Sequence, residues 1–257
     1  MKFEHKTYSA SGIKMHYITA GKGKPLLFLH GVLADAMIYS NMLKPFAKKY
    51  KIIAVDLPCF GKSGTPKEVW DFRDYAAFLN RFIASLGIKK LVVMGHSFGG
   101  GIAFCMAAKN RNIEKLVLID SAGVPVKYSK LKFAFLFSVK QATMALIKTG
   151  RADLLAKIGF RLGKSTLRHL PKLNIVLSTV RKSVQDNYKN ELRSIKAKTL
   201  ILLGKTDEMF REDSVKFLKK NIKNSTIILV KGGHSWCIFQ PKKFEEIVSK
   251  WLNAQLI

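Results

Sequence analysis

The stretch from Leu91 to Ala108, LVVMGHSFGGGIAFCMAA, narrows the folds open to this chain more than any other feature. Leu91-Val92-Val93-Met94 is a short apolar run of the length and branching expected for a buried parallel strand. Gly95-His96-Ser97-Phe98-Gly99 follows without a spacer, and Ile102, Phe104, Cys105, Met106 and Ala107 then recur at helical spacing. Strand, G-x-S-x-G and helix in that order predict a sharp turn that presents Ser97 at the helix N-terminus. Such a turn forces the serine into strained dihedrals, and the flanking glycines keep other side chains clear of it. Free backbone N–H groups and the helix dipole there favour developing negative charge. The plainer alternative is a Gly-rich turn whose serine merely caps the helix. The context on both sides favours a nucleophile.

The rest of the chain repeats the alternation of strand and helix. Residues Phe3 to Ser9 and Ile13 to Thr19 alternate apolar and polar around Ser11-Gly12, which predicts an antiparallel hairpin. Leu26 to Leu29 reads as a buried strand ending in His30-Gly31, and a helix is expected from about Ile38 to Lys49. Ile52 to Val55 is a strand closing on Asp56-Leu57-Pro58-Cys59-Phe60-Gly61-Lys62-Ser63, and a helix spans roughly Phe72 to Leu86. Beyond the Ser97 helix, Leu116 to Ile119 is a strand ending at Asp120. After residue 195, Thr199 to Leu203 and Thr226 to Val230 are strands, with a helix near Arg211 to Asn221 between them and a last one from Pro241 to about Leu252. This pattern predicts a mostly parallel sheet covered on both faces, with its ligand site beyond the carboxyl ends of the strands. Residues His30, Asp56, Ser97, Asp120, Asp207 and His234 all fall at such ends.

Between Gly123 and Ile195 the periodicity turns helical, and Phe133, Phe135, Phe137, Met144 and Phe160 supply large apolar surface. This segment is expected to be a cap inserted in the core, with residues 1–123 and 196–257 forming the core and 124–195 the cap. Its apolar faces either line an acyl pocket or pack the cap onto the sheet.

A serine hydroxyl needs a base within hydrogen-bond reach and a group that orients that base. Histidine suits the base role, and an aspartate on its other ring nitrogen fixes the tautomer. The chain supplies Ser97, Asp207 and His234 in that order. His30 and His96 are weaker candidates for the base, because their positions shape the backbone; His5, His16 and His169 have no supporting context. Asp120 is the rival acid, with Asp207 preferred for its Gly204-x-x-Asp207 turn, while Glu208 and Asp213 are expected in solvent. The backbone N–H groups of Val32 and Phe98 are the expected oxyanion donors. Substrate contacts are expected from His30, Gly31, His96, Phe133, Phe137 and Trp236.

In order and spacing, His30-Gly31, Asp56-x-Pro-x-x-Gly61-x-Ser63, Gly95-x-Ser97-x-Gly99, Gly204-x-x-Asp207 and Gly233-His234 resemble the α/β-hydrolase superfamily, in its helical-capped branch. The resemblance spans essentially the whole chain. It implies the α/β-hydrolase fold: a mostly parallel eight-stranded sheet, helices on both faces and a helical cap. Epoxide hydrolases and haloalkane dehalogenases of that branch place aspartate where Ser97 stands, so a serine implies acyl transfer to water. The implied activity is hydrolysis of carboxylic esters of short to medium acyl length, or of acyl lactones, with neither cofactor nor metal. Cleavage of C–C bonds in vinylogous diketo acids is the nearest enzymatic rival. A lactone-binding receptor with little turnover is the rival from another class. Cys59 stands where the superfamily usually has glycine.

Composition bears on partners and compartment. The formal net charge is +28, with 17 Lys/Arg against 3 Asp/Glu between Val124 and Lys198. No nucleic-acid-binding signature accompanies that charge, so solvated lysine-rich faces are expected. A weak contact between the basic cap and an anionic membrane surface is the sharper alternative. Three cysteines without metal-type spacing, no signal-peptide h-region and no apolar run of membrane-spanning length predict a soluble cytoplasmic protein, and nothing in the sequence chooses between a monomer and a dimer.

Overall fold

A computed structural model describes residues 2–123 and 172–254. Among them, eight strands form one sheet: β1 (Glu4–Ala10), β2 (Ile13–Ala20), β3 (Lys24–Leu29), β4 (Tyr50–Val55), β5 (Leu91–His96), β6 (Ile113–Ile119), β7 (Lys198–Gly204) and β8 (Ser225–Val230). Their spatial order is β1-β2-β4-β3-β5-β6-β7-β8. β2 runs antiparallel to β1 and β4, and all other neighbours are parallel.

The apolar runs predicted as buried strands are buried on both faces. Along β3 to β7, successive side chains enter opposite halves of the core, as the two-residue strand period requires. Leu27, Leu29, Ile53, Val55, Val93, Leu116, Leu118, Ile201 and Leu203 pack with the helices Phe72–Ser85, Phe98–Lys109 and Glu212–Asn221. Their neighbours Leu26, Phe28, Ile52, Ala54, Val92, Met94, Val117, Ile119, Leu200 and Leu202 pack with residues 36–47 and with Pro241–Asn253.

The expected helix from Ile38 to Lys49 is instead three short segments in succession, Ala36–Tyr39, Ser40–Leu43 and Lys44–Lys48. Pro45 lies near the start of the third, and inside a continuous helix its ring would meet the carbonyl four residues back. Asp35 caps the first, its carboxylate accepting from the Ile38 N–H at 3.1 Å.

Of the predicted cap, residues 124–171, including Phe133 and Phe137, lie outside the described residues. Its last part forms two helices, Leu173–Gln185 and Lys189–Ser194. Arg73, in the first turn of the Phe72–Ser85 helix, anchors them. Its guanidinium donates to the carboxylates of Asp186 and Glu191 and, at 2.8 Å, to the Asn187 carbonyl. The same group lies 4.5 Å from the centre of the Tyr188 ring. Among the described residues no helix is long and apolar enough to cross a membrane. All three cysteines are buried and unpaired.

Two stability predictions follow from this packing. Arg73→Ala leaves the buried Glu191 carboxylate without its donor, and should lower the unfolding free energy in urea by about 1–3 kcal/mol. Arg73→Lys should recover little of that, because a single ammonium cannot replace the planar fork. Cys59 has φ of 76°, in the left-handed region that favours glycine. With the sulfur removed in both variants, Cys59→Gly should be more stable in urea than Cys59→Ala by about 1 kcal/mol.

Candidate active site

Ser97 lies between β5 and the helix Phe98–Lys109, with φ 54° and ψ −119°. Backbone of this kind stores about 1–3 kcal/mol and persists only where its surroundings enforce it. Here the enforcement is close packing. A Cβ on Gly95 would stand 2.3 Å from the Gly99 carbonyl oxygen, and one on Gly99 would stand 2.3 Å from that of Leu29. The Ser97 side chain makes no capping hydrogen bond to its helix, so the plainer reading of this serine as a cap does not describe it. The hydroxyl stands at the helix N-terminus, 6% of the residue being exposed.

Asp207 and His234 meet as predicted from their places after β7 and β8. His234 Nδ1 lies 2.8 Å from Asp207 Oδ2. A carboxylate acceptor requires the proton on Nδ1 and leaves Nε2 bare, which is the tautomer a base needs. The other Asp207 oxygen accepts from the backbone N–H groups of Met209 at 2.7 Å and Phe210 at 3.1 Å, so the carboxylate cannot rotate freely. The Phe210 ring lies against the imidazole, with ring centres 5.6 Å apart. Ser97 and His234 are not hydrogen-bonded to each other. They are neighbours through His96, whose Nε2 is 2.8 Å from the His234 carbonyl oxygen. Such contacts commonly tighten only when substrate is bound.

Of the two expected oxyanion donors, the Phe98 N–H is the first of its helix and has no partner within it. Val32 follows His30-Gly31 at the end of β3, half-buried, and its N–H makes no backbone hydrogen bond. Both remain available to an anion.

Three of the expected substrate-contacting side chains are instead built into the framework. His30 is fully buried: Nδ1 donates to the Gly31 carbonyl at 2.7 Å, and Nε2 accepts from the Leu57 N–H at 3.0 Å. Burial lowers its pKa. His96 likewise has both ring nitrogens hydrogen-bonded. Trp236 is 2% exposed and packs against Phe244. Substrate contact would need surface that these rings do not present. Gly31 is buried too, its backbone lying against His96 and Ser97.

Asp120, the rival acid, lies behind the pair. Its Oδ1 accepts from the Gly204 N–H at 2.7 Å, while Oδ2 is buried without a hydrogen bond. Burial, and then the negative charge of Asp207, raise its pKa well above the ordinary value. A carboxyl whose charge is opposed in this way is the poorer anionic partner for an imidazolium.

Asp56 organises the loop in front of the site. Its carboxylate accepts from the N–H groups of Ala36 and Lys62 and pairs with His16 Nδ1, each at 2.8 Å. Burial opposes its charge, but the hydrogen bond from His16, the nearby His30 and the two N–H donors outweigh burial and hold its pKa below the usual value. His16 had no context in sequence because its partner lies 40 residues away. Tyr39 also escaped notice: it sits in an apolar helical stretch, and no spacing rule links it to His96, its partner at 2.8 Å. Among the described residues no group of three or more His, Cys, Asp or Glu side chains is arranged to hold a metal ion.

The two aspartates are separable by measurement. Asp207→Asn should lower kcat by about 10⁴-fold, by upsetting the imidazole tautomer, whereas Asp120→Asn should keep most activity. Stability should separate them as well. A carboxyl whose pKa is raised in the folded state favours folding below its unfolded value of 3.8, and that contribution fades as pH rises toward the folded value. Asp120→Asn removes this slope, so it should raise Tm relative to wild type more at pH 8 than at pH 5.

Comparison with known proteins agrees with this geometry. Residues 24–241 match the family model described as the alpha/beta hydrolase fold. The chain is 26% identical over 251 residues to the AB hydrolase superfamily protein YisY of Bacillus subtilis, covering 91% of this chain and 93% of that one. It is 36% identical over 117 residues to a soluble epoxide hydrolase of a Corynebacterium species, a match covering 45% of this chain and only 41% of the relative. Among solved structures it resembles Est816, described as an N-acyl homoserine lactone degrading enzyme. The TM-score is 0.80 at 22% identity, over 96% of this chain and all of the other, a likeness of fold. The family-model match spans most of the chain, and the turn at Ser97 and the sheet order agree with it: the chain belongs to the alpha/beta hydrolase family.

Proposed function

We propose that the protein is a serine hydrolase that cleaves carboxylic esters through an acyl-enzyme on Ser97. One observation carries the reading: a serine held at positive φ with its hydroxyl unused in capping, at the same sheet rim as an Asp207–His234 pair already in the base tautomer. The strained half costs folding energy rather than supplying it.

In the proposed cycle the ester carbonyl carbon lies against Ser97 Oγ, and its oxygen faces the N–H groups of Val32 and Phe98. His234 Nε2 takes the hydroxyl proton as the new C–O bond forms, and Asp207 stabilises the resulting imidazolium. The tetrahedral oxyanion is held by the two N–H groups, and its collapse expels the alcohol, which receives the proton from His234. Water, deprotonated by the same imidazole, then attacks the acyl carbon. The acid leaves and Ser97 recovers its proton. Half-buried Val32 contributes apolar surface beside the oxyanion position, which suits an acyl chain over a charged one.

Acyl lactones belong to the same chemistry, since ring opening is attack on an ester carbonyl. The fold shared with the lactone-degrading Est816 supports including them. The epoxide hydrolase likeness covers less than half of either chain. Opening an epoxide also calls for a carboxylate nucleophile in this branch, and the elbow here carries a hydroxyl.

The test is a panel of p-nitrophenyl esters of increasing acyl length, together with acyl lactones, run on wild type and Ser97→Ala. Wild type should turn over many equivalents, and a fluorophosphonate should label it at Ser97. The variant should stay folded and lose at least about 10³-fold in kcat on every substrate. Release of a single equivalent of product would favour a lactone-binding receptor. Equal rates in wild type and variant would end the acyl-enzyme proposal.

A further inference from the structure

We infer that His96 and Tyr39 are positioning residues, which tie the oxyanion loop after β3 to the loop carrying the catalytic histidine after β8. The inference rests on the ester-hydrolase reading and adds to it how two loops distant in sequence are held in register.

The hydrogen bonds form one directed chain. His96 Nε2 donates to the His234 carbonyl oxygen at 2.8 Å, because a carbonyl can only accept. That places the proton on Nε2 and leaves Nδ1 bare. The Tyr39 hydroxyl, 2.8 Å away, must then donate to Nδ1. Its oxygen accepts in turn from the Gly31 N–H at 3.4 Å. Gly31 immediately precedes Val32, whose N–H is an oxyanion donor in the proposed cycle, and His96 immediately precedes Ser97. A single imidazole thus stands between the base, the nucleophile and the oxyanion loop.

The surroundings leave little freedom for any other arrangement. His96 is 3% exposed and Tyr39 2%. The Tyr39 ring packs on Phe28 of β3 with centres 4.7 Å apart, and the His96 and His234 rings lie 4.9 Å apart. A Cβ on Gly31 would lie 3.2 Å from both His96 Nδ1 and the Ser97 Cβ, so this backbone rests directly on the pair. Burial first, and then the neighbouring His234, push the His96 pKa down to about 3. A ring held so far below the ordinary histidine value is neutral near neutral pH. A protonated imidazole in this place would repel the imidazolium that catalysis creates.

The test uses Tyr39→Phe, His96→Leu and His96→Gln, assayed for kcat, KM and Tm on the best ester of the wild-type enzyme. Tyr39→Phe removes one hydroxyl from a well-packed ring, so it is expected to fold. Misplacing an oxyanion donor by a fraction of an ångström should lower its kcat by about tenfold or more, with KM within about threefold. His96→Leu should lose about a hundredfold, and His96→Gln, which can still donate to the His234 carbonyl, should recover a large part of it. A purely structural role would lower Tm in all three while leaving kcat near wild type. The inference is overturned if Tyr39→Phe keeps kcat within about threefold, or if Gln restores nothing that Leu loses. Should the His96 variants not fold, Tyr39→Phe alone decides. Wild type that neither turns over an ester nor reacts with a fluorophosphonate would defeat the underlying reading. Active wild type with an unaffected Tyr39→Phe would defeat only the linkage.

Discussion

Close backbone contact between the turn at Ser97 and the end of β3 is the constraint on which the rest of the structure depends. Gly99 packs onto the carbonyl oxygens of Leu29 and His30, and Gly95 packs onto the backbone of Gly99 and Gly100. No side chain fits at either place, so the helix that begins at Phe98 comes down almost on top of two adjacent parallel strands. Positive φ at Ser97 follows from that approach. Once the turn is in place, the hydroxyl and the first free N–H of the helix share one corner of the sheet, beside the Val32 N–H at the end of the neighbouring strand.

Around this corner, polar side chains replace the apolar packing found along the strands. His30, Asp56, His96, Asp120, Asp207 and His234 are all buried, and each makes at least one hydrogen bond. Most of these bonds run between the ends of different strands rather than within one loop. The pairing of Asp56 with His16 joins β4 to β2, and Tyr39 joins the loop after β3 to the residue before Ser97. Buried polar groups of this kind are costly unless partnered, so a loop that shifts must break several bonds together. The rim is held rigid for that reason.

Two carboxylates at the ends of β6 and β7 illustrate how environment separates roles. Asp207 accepts from the histidine and from two backbone N–H groups, which fix its orientation. Asp120 has one backbone donor and lies fully buried next to Asp207, and burial and that neighbouring charge push its pKa well up. The same residue type thus meets two different environments a short distance apart.

Much of this was legible in the chain itself. Apolar runs of four to seven residues ending in His30-Gly31, Asp56, Ser97, Asp120, Asp207 and His234 determined the strands, their parallel order of use and the rim where chemistry gathers, because burial on both faces demands such runs and turn glycines mark their ends. Ser97, Asp207 and His234 stood out for the same reason. Continuity of the helix predicted over residues 38–49 failed because Pro45 acts through a local clash that apolar periodicity does not register. Only the tertiary structure decided which aspartate meets the histidine, that His30, His96 and Trp236 are framework, and that Tyr39 and His16 matter at all. Those outcomes depend on hydrogen bonds between residues tens of positions apart, with geometry set by sheet order and burial, and no local pattern in a sequence encodes that.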